Sequence, residues 1–179
     1  EGTWTHLETG EQMAGPRWHR KEYSVMQAAT WVREGAVLPI GTVSDRPDYD
    51  WARDMQFRAF AAADGTRHIA VPSPDGATTV FEVTVSGGDV WVYDPASRIL
   101  LAGDLVTLPA PLFDTACPWR WRAALERLRA VDFAVLVPGH GPPLGRQELD
   151  RYIAAYDRLL ACADRGAAVG DCAADWLDA

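Results

Sequence analysis

The chain has little cysteine: three residues in 179, too few for the dense disulfide scaffold of a small secreted domain. It lacks positive charge. Seventeen Lys and Arg against 25 Asp and Glu leave a formal charge of −8, and no basic cluster interrupts that balance. This argues against nucleic acid or an anionic membrane as partner. No apolar run approaches the ~20 residues of a membrane span. The opening shows neither a start methionine nor a leader pattern, and reads as that of a fragment, a processed form or part of a longer protein. What is present is a globular composition, 48% hydrophobic and 23% charged. The chain is long enough for a full core without a metal as staple. Eight tryptophans are expected in the core or in pocket walls. No internal repeat, low-complexity tract or linker divides the chain, so one domain is expected over 1–179, with 164–179 as a tail on the last helix.

The pattern changes along the chain. Residues 1–5 read as the end of a short strand, and His6 to Gly15 as a loop leading into a helix. A rough helical spacing of Trp18, Val25, Met26, Ala29 and Val32 predicts a helix over 17–33. Asp45-Arg-Pro-Asp is turn chemistry, and Asp50 to Ala63 reads as a second helix with Asp50 near its N-cap. The middle is rich in Val, Ile, Phe and Thr. Residues 68–71, 78–85, 89–93 and 99–102, divided by Pro, Asp and Gly turns, predict antiparallel strands of one sheet. Helices follow over 118–131 and 147–163, with a short buried strand at 134–137 between them. The class is α/β.

Two strand ends carry the chemistry. Ile99-Leu-Leu-Ala-Gly103-Asp104 closes one hydrophobic run on an acid, and Ala134-Val-Leu-Val-Pro-Gly-His140-Gly closes another on an imidazole. Alone, Asp104 reads as a cap or turn residue and His140 as part of a Pro-Gly turn. Together, at the ends of strands joined through a helix, they are held rigidly at a sheet rim, where a metal ligand or catalytic group belongs.

Gly103-Asp104 with Pro138-Gly139-His140-Gly141 resembles the metallo-β-lactamase superfamily of metal-dependent hydrolases. The resemblance runs from residue 3 to about residue 165. It aligns Thr5-His6-Leu7-Glu8-Thr9-Gly10-Glu11 with the family's Thr-His-x-His-x-Asp-His, and Val85-Ser86-Gly87-Gly88-Asp89 with its His-x-x-Gly-Asp. It implies an αββα sandwich with metal at one rim, here without the strands that precede the first motif. It also implies small-molecule substrates. Three of the expected ligands are kept, as His6, Asp104 and His140. Four are replaced, by Glu8, Gly10, Glu11 and Val85. The resemblance places His6, Glu8 and Val85 at one metal and Glu11, Asp104 and His140 at the other. The second set, two carboxylates and an imidazole, suits a single Zn, Mn or Fe ion, and Glu8 or Glu11 is left as general base. Two classes of function follow. One is a hydrolase with an altered metal site, acting on an ester, lactone, thioester or amide. The other is a descendant with an eroded site and no metal, kept as a binding or interaction module.

Other residues are weaker candidates. His19 reads as part of a solvated face and His68 as a strand-edge residue. Cys117, just before a helix, reads either as a reactive thiol or as a small buried hydrophobe. Residues 108–113, with Trp4, Trp18 and Trp119, are expected to wall an apolar mouth. Cys162 and Cys172 flank a Gly- and Ala-rich segment that folds back easily, so a disulfide is expected there. Such a bond would point to export or the periplasm.

Overall fold

The computed structural model describes residues 1–113 and 116–177. Asp114 and Thr115, expected to lead into the 118–131 helix, and residues 178–179 of the tail lie outside the described residues. The architecture is mixed α/β. The chain forms two compact units, Glu1–Ala63 with Val71–Thr78, and Asp64–Ala70 with Thr79–Ala179.

The first unit is built from short strands. β1 (Gly2–His6) pairs antiparallel with β2 (Gln12–Gly15) on one side and β3 (Trp31–Arg33) on the other. β4 (Val37–Ile40) pairs antiparallel with β5 (Gln56–Ala59). Three expectations are corrected here. Residues 6–15 make a turn and a strand, with Gly10 at φ +72° closing the turn where a side chain would be strained. The predicted helix over 17–33 is irregular chain ending in β3. Its helical spacing has no core to meet, since Trp18, Val25 and Met26 are almost wholly exposed, and periodicity without burial does not hold a helix. Over 50–63 the structure has a turn and β5. Asp54 and Ala61 take positive φ, a conformation that ends helices.

The second unit holds a five-stranded sheet in the order β10-β9-β8-β7-β6. Its strands are β6 (Gly65–Pro72), β7 (Thr78–Ser86), β8 (Asp89–Asp94), β9 (Ile99–Thr107) and β10 (Val135–His140). β7, β8 and β9 pair antiparallel as expected, through the tight Gly87-Gly88 turn between Ser86 and Asp89. β10 runs parallel to β9, the arrangement that requires a crossover. Helix α1 (Pro118–Arg129) supplies it. Its Trp121, Ala124, Leu125 and Leu128 are buried on one face, at helical spacing. Helix α2 (Arg146–Asp164) buries Leu149, Tyr152, Ile153, Tyr156 and Leu160. Together they cover the sheet face that carries Trp91, Tyr93, Leu100, Ala102 and Leu136. Arg122 on α1 donates from Nε and Nη2 to both oxygens of Asp157 on α2, at 2.8 and 3.2 Å. Residues 165–168 then lead to a third helix, α3 (Val169–Leu177), in the segment expected to be a tail.

Candidate functional site

The ends of β9 and β10 are shaped by two irregularities in an otherwise regular parallel ladder. Val137 pairs with Leu101, but Pro138 pairs with Gly103 and His140 with Thr107. Each shift lets residues of β9 bulge, and bulges re-aim side chains at strand ends. The result brings Asp104 and His140 together, with Asp104 Oδ1 3.7 Å from His140 Nε2 and both side chains well exposed. Glycine makes this approach feasible. A Cβ on Gly139 would fall 2.8 Å from the Gly103 carbonyl carbon and 2.9 Å from Asp104 N, and would strike the Asp104 carboxylate as well. Gly103 itself takes φ +55°. Beyond the pair, Leu136 and Leu144 exchange backbone hydrogen bonds of 2.8 Å and close the loop behind His140. The Leu108 N–H donates to the His140 carbonyl at 3.0 Å. Thr107 is buried, its Oγ1 donating to Ala110 O at 3.0 Å.

Beside Asp104 lies a cavity of about 500 Å³ lined by Asp89, Cys117, Arg120 and Trp121 among others. Asp89, at the start of β8, is partly buried, and desolvation pushes its carboxyl above the usual carboxylate range. Cys117 is the N-cap residue of α1 and makes no side-chain cap bond. Its thiol is free and exposed, so it is not the small buried hydrophobe that was one of its two readings. Arg120 was not singled out from the sequence, and Asp89 entered there only as the last residue of the His-x-x-Gly-Asp match and the first of the strand expected over 89–93. They belong to different elements, and no local pattern shows that these meet at one cavity.

Of the remaining candidate ligands, His6, Glu8, Glu11 and His19 lie in the first unit and Val85 and His68 in the second. His6 ends β1 and is buried. Its ring stacks on Tyr23 at 6.0 Å and meets the edge of Trp31 at 5.0 Å. Its Nδ1 accepts the Thr9 N–H at 3.3 Å, which leaves Nε2 as the protonated nitrogen of the neutral ring. Glu8 is exposed in the turn that follows, and Glu11 is exposed and paired with Lys21 Nζ. Gly10 donates its N–H to His6 O at 2.9 Å. Val85, which the resemblance sets against a histidine, is buried in β7. His19 Nε2 bonds Ala14 O at 3.1 Å, and His68 lies on strand β6, 3.5 Å from Glu82. Of the expected mouth, Leu112 lines the cavity beside Asp104, Phe113 packs on Trp121 and Tyr156, and Trp18 and Trp119 are exposed.

A catalytic zinc needs three protein ligands. Within either unit, the described residues bring together no three His, Cys, Asp or Glu side chains in a metal-binding group. In the second unit Asp104 and His140 stand as two donors without a third, so the donor set there does not fit a metal ion by itself.

Cys162 on α2 and Cys172 on α3 form the expected disulfide, with Cα atoms 5.5 Å apart. Among the described residues no helix is long and apolar enough to cross a membrane.

No protein-family model matches the chain. Solved structures do resemble it. A metallo-β-lactamase from Pontibacter korlensis is 28% identical, with 55% of this chain and 48% of that one covered, at a TM-score of 0.44. The DIM-1 metallo-β-lactamase is 24% identical over 45% of this chain and 41% of its own, at 0.35. A metallo-β-lactamase family protein from Thermus thermophilus is 23% identical over 58% of this chain and 37% of its own, at 0.43. The chain thus spans about half or less of the length of these structures, and what it shares with them is a likeness to the metallo-β-lactamase fold over roughly half of its own residues.

Proposed function

We propose that this chain is a hydrolase-like protein of the metallo-β-lactamase superfamily whose metal centre has eroded to the Asp104–His140 pair, leaving a small-molecule binding rim. The observation that carries this reading is the pair itself. Asp104 and His140, which the resemblance matches to family ligands, stand side by side at 3.7 Å, while Val85, which it sets against a histidine, is buried on β7 and cannot donate to a metal. The cavity beside the pair, with Arg120 and a free thiol in its lining, offers room for a polar small molecule. The disulfide supports an oxidising compartment for the protein, and so export.

A second reading keeps one metal. Three ligands suffice for a catalytic ion that retains a water, and Asp104 and His140 lack only one. In that reading a third ligand from outside the pair completes the set, and the substrate is an ester, lactone, thioester or amide. Zn, Mn or Fe would be the ion.

Metal analysis of chelator-free protein equilibrated with Zn, Mn and Fe in turn separates the two. The eroded centre retains no stoichiometric ion after gel filtration. A full equivalent held by the parent, and lost in Asp104→Asn, sinks the eroded reading in favour of the single-metal one.

A further inference from the structure

A second cavity, of about 550 Å³, lies in the second unit among Leu108, Pro142, Leu144, Tyr152, Ala155 and Trp176. Its size falls in the range of small-ligand sites, ~300–1,000 Å³. The chemistry of its lining is unlike that of the rim. The Trp176 indole N–H and the Tyr152 hydroxyl oxygen each have a partner within the protein. Trp176 Nε1 donates to Pro109 O at 2.6 Å, and the Tyr152 hydroxyl accepts the Thr107 N–H at 3.4 Å. The rings themselves meet edge to face at 5.2 Å. The charged members of the lining answer each other. Arg151 Nη2 donates to Glu148 Oε1 at 3.1 Å, and Glu148 Oε2 accepts the Gly145 N–H at 3.0 Å. A charged ligand entering against these apolar walls loses hydration and meets two lining charges that are already paired with each other. An uncharged apolar one loses only contact with water.

We propose that this cavity binds a small, uncharged, hydrophobic molecule, with Trp176 and Tyr152 as its walls. Trp176 is carried on α3, one helical turn after Cys172, and the Cys162–Cys172 bond ties that helix to α2. The disulfide therefore holds one wall of the site in place. The opposite side is the chain that leaves His140, where Gly141 packs so tightly on Leu108 that an added Cβ would lie 2.9 Å from the leucine Cβ. The site does not depend on the reading of Asp104 and His140, and its test needs no hydrolysis.

The probe is N-phenyl-1-naphthylamine, an uncharged fluorophore that brightens in apolar surroundings, titrated into the intact, oxidised protein. Saturable one-site binding is expected. Ala155→Phe, which fills the cavity, and Trp176→Leu, which opens its wall, each weaken it about tenfold or more, a loss of about 1.4 kcal/mol. Circular dichroism of each variant shows whether the fold is kept, so that if one fails to fold the other still decides. The anionic analogue 1-anilinonaphthalene-8-sulfonate should not displace the probe. Absence of saturable binding, unchanged binding in a folded variant, or equal competition by the anion overturns the proposal.

Discussion

Replacing Gly139 by alanine tests how the Asp104–His140 pair is assembled. The added methyl would meet the backbone of Gly103 and Asp104 at 2.8 and 2.9 Å, and the Asp104 carboxylate as well. A carboxylate can swing away, but the two backbone atoms belong to β9, which is hydrogen-bonded on both sides in the order β10-β9-β8. The strain must therefore separate β9 from β10 or bend the loop before His140. Overpacking of this kind costs roughly 1–3 kcal/mol, and in a protein of this size about 2–4 °C in midpoint for each kcal/mol. Thermal and urea unfolding should therefore place Gly139→Ala about 2–12 °C below the parent by the same conversion. The matched control is Gly170→Ala in α3, where nothing lies within 4 Å and φ is ordinary. It should be neutral or stabilising, by up to about 1 kcal/mol. A Gly139→Ala protein as stable as the parent, within about 0.5 kcal/mol, refutes the close approach and with it the account of why Asp104 and His140 meet.

Three further outcomes follow from the second unit. Thiol titration of denatured, unreduced protein should count one sulfhydryl, that of Cys117, and three after reduction; loss of the bond should lower stability by about 2.7 kcal/mol from loop-closure entropy, read from urea midpoints. Trp121→Phe removes the indole N–H that donates to Leu105 O at 2.8 Å in the core, and the stranded carbonyl should cost about 1–3 kcal/mol by the same assay. Asp89 holds its proton more tightly in the folded protein than its ordinary value of 3.8 implies, because of burial. Its contribution to stability is thus fully present below that value and is lost as pH rises through the folded one. Asp89→Asn should raise the melting temperature at pH 7, with the gain shrinking as the pH falls toward 3.8; a gain that grows toward acid contradicts the assigned cause.

The sheet of the second unit was legible in the sequence because its strands are bounded by turn residues and carry β-branched runs, and α1 and α2 because their apolar residues repeat at helical spacing. The first unit was not. Trp18, Val25 and Met26 mimic a helix period, yet spacing says nothing about whether a face finds a core, and theirs does not. The site was legible in part. Asp104 and His140 at strand ends could be paired by position, whereas the shifts that aim them at one another depend on two strands meeting in parallel, which neither strand encodes locally. The disulfide followed from spacing. Helix α3 did not, since it is short and carries Gly170, a poor helix former, in its first turn, and the bond from Trp176 to Pro109 joins segments far apart in the chain.

The parallel pairing of β10 on β9 also has a kinetic consequence. Neighbouring antiparallel strands close through short turns, but this pair must wait until the crossover through α1 has been gathered in, and loop entropy is lost before the contact returns anything. Asp104 and His140 become neighbours only through that parallel pairing, so a probe placed on the pair reports formation of the β9–β10 contact, where one on Trp91 reports the β7–β8 hairpin.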